Sequence, residues 1–201
     1  MSNSYKYVDP DYAYTDPNTG LLRNLQDISD PDVLLFVESG TVTKRLQELY
    51  INPIKIKGID SLFAIHKYVF QDIYIWAGKI RTVEISKDGK QFFPTSHFDK
   101  ALQYLDQLIV EFKGIPKGDN TKIAEKLARI LDNINYLHPF REGNGRIQRE
   151  FLRVLALEKG LTLHLNPPDN KSVYERYMKG TIESDVDILT ELIFELIMTE
   201  S

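Results

Sequence analysis

The sequence predicts an all-α domain carrying one small β-hairpin. Three observations lead there. After the first 31 residues, apolar side chains recur mostly at helical spacing. One stretch, "RTVEISKDGKQFFP", changes to alternation, with Val83 and Ile85 set between polar residues and an Asp88-Gly89 pair suited to a tight turn. The length of 201 residues and a hydrophobic content of 42% suffice for one sizeable core.

The elements follow in order. Pro10, Pro17 and Gly20, among Asp, Asn and Tyr, make the first 30 residues an ordered arm rather than a regular element. From Asp32 to about Tyr50 the pattern is helical, with Leu34, Phe36, Val42 and Leu46 among charges. Residues 1–57 are thus read as an arm and helix packed on the core, and 58–201 as the main domain. Ile59, Leu62, Phe63, Val69 and Phe70 form the next stripe, with Asp60 or Ser61 as its expected cap. The hairpin follows. A helix through Phe98, Leu105, Ile109 and Phe112 ends at "GIPKGDN", and another runs from about Thr121 to Leu137. "NGRIQREFLRVLALEKG" predicts a helix stopped at Gly160. Two more are expected around Ser172–Met178 and Asp185–Met198.

Composition removes several functions. With no cysteine, disulfides, thiol catalysis and thiolate metal sites are excluded. A net charge of −4 disfavours broad nucleic-acid binding, which needs a basic face. No apolar run spans a bilayer, and the polar start "MSNSYKYVDP" is not a signal peptide, so a cytoplasmic protein is expected. His66 is read as packing near an apolar helix face, His97 as part of a helix start and His164 as structural, without a metal partner at suitable spacing; Trp76 is read as core.

Polar chemistry concentrates in "HPFREGNGRIQRE", His138 to Glu150. His138 sits where one helix ends, with Pro139 helping to stop it. Gly143-Asn144-Gly145 leads directly into the next helix. Such a glycine-containing turn exposes backbone N–H groups where the helix dipole favours an anion. Arg146 and Arg149, three apart, share a helix face. Glu142 is a hard oxygen ligand able to hold Mg²⁺ beside a polyphosphate. His138, with an ordinary imidazole pKa of about 6.5, can accept a proton at neutral pH. Together these parts point to Mg²⁺-polyphosphate transfer onto a hydroxyl, with His138 as base.

His138 to Arg149 also resembles the Fic-family motif H-x-F-x-(D/E)-G-N-G-R-x-x-R at every specified position. "LFAIHKYVFQDIYIWAGKIRTVEI" is similar to the Fic segment leading into the hairpin, and "YAYTDPNTGLLRNL" to the arm of some bacterial members. The resemblance implies a Fic-type helical fold with a hairpin flap over the active site. It implies transfer of AMP from ATP to a Ser, Thr or Tyr hydroxyl of a protein, releasing pyrophosphate. His138 is then the general base, Phe140 the loop's core anchor and Glu142 the Mg²⁺ ligand. Gly143, Asn144 and Gly145 form the anion hole, Arg146 contacts phosphate and Arg149 holds the γ-phosphate. The flap, with Ile85, Ser86, Lys87 and Phe93, aligns the target by adding a strand.

Two alternatives stand beside AMP transfer: γ-phosphoryl transfer and a non-catalytic adaptor. Phosphorylating relatives carry Lys where this chain has Gly145, so Gly145 favours AMP transfer over γ-phosphoryl transfer. A non-catalytic nucleotide-binding adaptor would lack His138 or Arg149, and both are present. By resemblance, the expected targets are DNA gyrase or topoisomerase IV in a bacterial cytoplasm, or a host GTPase after translocation. Many relatives restrain themselves with (S/T)-x-x-x-E-(G/N), whose Glu pairs with the second arginine. Only Thr121 to Glu125 has that spacing here, and Lys126 follows instead of Gly or Asn. The expectation is inhibition in trans by a small helical antitoxin. The alternative is a degenerate inhibitory helix in "DILTELIFELIMTES".

Overall fold

In a computed structural model of the chain, residues 5–7, 9–87 and 89–199 are described. Among them are seven α-helices: α1 Pro31–Ile51, α2 Asp60–Phe70, α3 Phe98–Gly114, α4 Asn120–Leu137, α5 Asn144–Glu158, α6 Lys171–Glu183 and α7 Val186–Thr199. Strands β1 (Tyr5–Tyr7), β2 (Ile85–Lys87) and β3 (Lys90–Gln91) make a small antiparallel sheet in the order β1-β2-β3. None of these helices is long and apolar enough to cross a membrane.

α4 is the centre. Ile123, Ala124, Leu127, Ala128, Ile130, Leu131, Ile134 and Leu137 are all buried along it, and α3, α5, α6 and α7 pack around it. A helix buried on that much of its circumference needs partners on several sides. Its start is fixed by Asp119, whose carboxylate accepts from Lys122 N–H. Asp30 caps α1 in the same way, with Pro31 at the first helical position. α1 then buries Leu34, Val42 and Leu49 toward the core and packs on α2.

The expected cap of α2 is corrected by the structure. Neither Asp60 nor Ser61 caps it: its first residues follow Ile59, and no side chain of its own turn bonds there. Asp106, from α3, accepts from Ile59 N–H at 2.7 Å instead. Ser61 Oγ accepts from Lys57 N–H, one turn earlier. A tertiary neighbour thus holds the residue before the helix, while the Ser61 and Leu62 N–H groups bond back to Gly58 O and Ile59 O.

The hairpin has a neighbour that alternation alone did not show. β1 pairs with the outer edge of β2, Tyr5 opposite Lys87 and Tyr7 opposite Ile85. The turn between β2 and β3 carries Gly89 at φ +82°, a left-handed conformation suited to glycine; Asp88 lies outside the described residues. Behind β1, the arm is ordered by Asp9, whose carboxylate accepts from the N–H groups of Ala13, Tyr14 and Thr15. Tyr14 is buried against the edge of Trp76.

Candidate active site

α4 and α5 meet at a tight connection, residues 138–143, and this loop is built from inside. His138 closes α4 in the left-handed region, φ +45°, with its N–H still bonded to Ile134 O. Gly143 opens α5 with φ +84°. Asn144 clasps the loop between them: Oδ1 accepts from Phe140 N–H at 2.9 Å, and Nδ2 donates to Phe140 O at 2.7 Å. Phe140 is buried, stacked on His66 with ring centroids 3.8 Å apart. A methyl group on Gly143 would lie 2.4 Å from the Phe70 ring. Gly143→Ala therefore combines left-handed strain with a clash. It should cost roughly 2–4 kcal/mol in urea unfolding, from the strain of an alanine there and forced overpacking.

The His138 imidazole is almost fully buried and stacks on Phe92 with centroids 3.8 Å apart. Its Nδ1 lies 3.3 Å from Asn135 O. A carbonyl only accepts, so Nδ1 carries the proton in that contact and Nε2 is the basic nitrogen of the neutral ring. Burial, reinforced by the charges of Arg81 and Lys87, pulls the pKa down to about 3.

His66 is equally buried. Nδ1 accepts from Gly78 N–H at 2.8 Å, so Nε2 carries the proton and donates to Glu142 O at 3.1 Å. Burial pulls its pKa to about 3 as well. The folded protein thus keeps both rings neutral, while the unfolded chain protonates them below about pH 6.5. Their contribution to stability is complete above that pH and is lost as pH falls toward 3. The expected slope is about 1.4 kcal/mol per pH unit for each ring. Urea titrations between pH 6.5 and 5 should show a shallower slope, by that amount, in His138→Ala than in the native chain.

Two cavities meet at His138. The smaller, about 190 Å³, is lined by residues 141–146 together with His138 and Arg149. The N–H groups of Asn144 and Gly145 open the first turn of α5 and bond to no carbonyl among the described residues. This is the arrangement that receives an anion. The larger cavity, about 360 Å³, shares His138, Gly145 and Arg149. It is walled by Asn135, Tyr174, Tyr177 and Met178, and roofed by Lys87, Lys90, Gln91 and Phe92 of the hairpin. Lys90 Nζ donates to Ile182 O at 3.1 Å, tying the roof to the end of α6.

The two motif arginines lie differently. Arg146 bonds to Glu38 of α1 at 2.8 Å and to Glu142 at 3.2 Å. Arg149 is half-buried over the Tyr177 ring, with no carboxylate among the described residues within ion-pair distance. Glu142 Oε1 accepts from Gly143 N–H and Arg146, while Oε2 has no hydrogen-bond partner among the described residues. One free carboxylate oxygen beside an anion cavity fits Mg²⁺, which keeps several waters and shares its site with substrate phosphates.

The flap residues divide. Ile85 is buried in the core. Phe93 is half-buried against the Tyr136 ring, and its N–H bonds Tyr136 O at 3.0 Å, pinning the hairpin to α4. Ser86 and Lys87 are half-exposed, and only Lys87 of the four lines the larger cavity.

Three functional positions escaped the sequence reading. His66 was read as packing only, yet it holds the Glu142 carbonyl. Arg81 is buried, and its guanidinium donates to His138 O at 2.8 Å, Val83 O at 2.6 Å and Phe93 O at 2.6 Å. It fastens both limbs of the hairpin to His138. Glu38 reaches the site from α1. The segment "IHKYVFQDIYIWAGKIR", which carries His66 and Arg81, was the only signal, and it gave no role to either.

Comparison with known proteins is consistent along most of the chain. The Fic/DOC family model matches residues 56–156. Protein adenylyltransferase VbhT of Bartonella schoenbuchensis is 37% identical over 156 residues, 77% of this chain; the chain spans 33% of that protein's length. The Salmonella typhimurium protein named Probable protein adenylyltransferase Fic is 32% identical over 163 residues, covering 81% of this chain and 80% of its own. In fold, the chain is similar to the N-terminal Fic domain of a VirB-translocated Bep effector from Bartonella quintana, solved with ADP. The TM-score is 0.79 at 21% identity, over 92% of this chain and 94% of that one. BepC of Bartonella tribocorum, solved with AMPPNP, gives 0.79 at 21% identity, over 92% and 96%.

Proposed function

Because the chain belongs to the Fic/DOC family, we propose that it transfers AMP from ATP to a hydroxyl of a protein target and releases pyrophosphate. The names of its adenylyltransferase relatives and the nucleotides bound by its structural neighbours support that reading. The single observation that carries it is the buried His138 at the junction of an anion-binding turn and a nucleoside-sized cavity.

The target oxygen attacks the α-phosphorus, and the bond from that phosphorus to the bridging oxygen of the β-phosphate breaks. The hydroxyl proton passes to His138 Nε2. Burial keeps the imidazole neutral, and polyphosphate in the adjoining cavity adds negative charge that raises its proton affinity toward that of an effective base. The N–H groups of Asn144 and Gly145 and the Arg149 guanidinium meet phosphate oxygens. Glu142 Oε2 would hold Mg²⁺, which supplies neutralising charge to the phosphates when bound. Gly145 keeps the turn free of a side chain where phosphate must approach.

Control in trans is part of the proposal. Glu125 is exposed on α4, and Glu195 of α7 pairs with Arg176 at 2.5 Å. Among the described residues, neither candidate inhibitory stretch brings a carboxylate within ion-pair distance of Arg149. That supports a separate helical antitoxin presenting a glutamate there. A type II topoisomerase is the first target to assay and a small GTPase the second.

The deciding experiment uses ATP labelled at either the α or the γ phosphate, with bacterial lysate. Label from the α position on a protein is expected. Label from the γ position alone would replace AMP transfer by phosphoryl transfer.

A further inference from the structure

Arg146 has two carboxylate partners, and the nearer one lies outside the motif. Glu38, in the middle of α1, meets Nη1 at 2.8 Å, whereas Glu142 meets Nη2 at 3.2 Å. Glu38 is 14% exposed, and its other oxygen accepts the Tyr74 hydroxyl. Tyr74 is buried, and burial together with the charge of Glu38 raises its pKa, so its hydroxyl remains a donor. Glu38 is therefore fixed at both oxygens. It also precedes residues 56–156, where the family model matches.

A guanidinium with one carboxylate partner tends to take both of its oxygens in a planar fork. Glu142, in the loop just before α5, already meets Arg146 through one oxygen and is close enough to be taken in this way. It is also the residue whose Oε2 has no hydrogen-bond partner among the described residues, at the edge of the phosphate cavity. Glu38 holds Nη1 and so fixes the orientation of the guanidinium, in which Nη2 is the nitrogen that meets Glu142.

We infer that Glu38 is a positioning residue for the nucleotide site: by holding Arg146 from α1, it prevents Arg146 from sequestering both Glu142 oxygens. One oxygen of Glu142 is thereby kept for a divalent cation. The inference rests on the nucleotide reading above and concerns binding rather than the chemical step.

The test is calorimetric titration of AMPPNP into the full chain across a series of Mg²⁺ concentrations. Glu38→Ala should raise the Mg²⁺ concentration for half-maximal nucleotide binding by about tenfold, the scale of one charge-assisted contact. Glu38→Gln, which keeps an acceptor for Arg146 and a similar shape, should give a smaller shift with melting close to native. It carries the test if Glu38→Ala fails to fold. In an Arg146→Ala background, either Glu38 change should cause no further shift. An unmoved Mg²⁺ dependence, or the same shift with and without Arg146, overturns the role of Glu38 alone. A native chain that binds no AMPPNP at any Mg²⁺ concentration overturns the nucleotide reading and this inference with it.

Discussion

Replacing His138 by alanine is expected to lower AMP transfer by about 10²–10⁴-fold, the usual worth of a positioned general base. In the proposed reaction Nε2 is the nitrogen that takes the hydroxyl proton, since Nδ1 faces Asn135 O. Nucleotide affinity should change little, because the proposed phosphate contacts come from the α5 turn and Arg149 rather than from the ring. Single-turnover assays with α-labelled ATP, paired with equilibrium binding of the nucleotide, separate these quantities. Native-like transfer by the variant would remove His138 from the mechanism. In bacteria, the native chain expressed alone should arrest growth, and the variant should not.

The second large effect belongs to Arg81. Its side chain is fully buried and donates to the carbonyls of His138, Val83 and Phe93, with Glu84 at 3.5 Å as its carboxylate partner. Arg81→Met leaves those carbonyls without their donor and Glu84 without its charge. The expected loss is about 3–5 kcal/mol, from breaking a buried, hydrogen-bonded charge. For a chain of this size, that lowers the melting temperature by roughly 10 °C. Transfer should fall further than nucleotide binding, since the hairpin and the base lose their common anchor. Arg81→Lys should restore little: an ammonium is a point charge and cannot reproduce the planar fork that serves several carbonyls. Calorimetric melting and a steady-state assay read the two effects. A variant that melts within a degree or two of native would show that the guanidinium contacts contribute little.

What the sequence disclosed depended on whether a feature was local. His138 to Arg149 is contiguous, and the turn, the base and both arginines could be placed from spacing alone. The helices were legible because each buries a periodic stripe. Features made by distant parts of the chain were not. Asp106 of α3 holds the Ile59 N–H just before α2, which no inspection of Asp60 or Ser61 could reveal. Arg81 and His66 act on backbone carbonyls, and a backbone carbonyl leaves no mark on residue identity. Glu38 is one acid among several on α1 until the fold brings Arg146 to it. The "YKY" of β1 is too short to read as a strand, and only its pairing with β2 makes it one.

That pairing also bears on the order in which the protein assembles. β1 and β2 are separated by about eighty residues, whereas the packing of α4 on α3 and α5 joins neighbours in the chain. Contacts between distant segments are the slowest to form, because the intervening loop must close first. The helical core is therefore expected to mature ahead of the three-stranded roof, leaving a brief stage with a built base and an unfinished cover. Pulsed hydrogen exchange should find the amides of α4 protected before those of β2. An antitoxin of the kind proposed above would then meet the chain most openly while it is still folding, and making the two side by side would act as a kinetic safeguard.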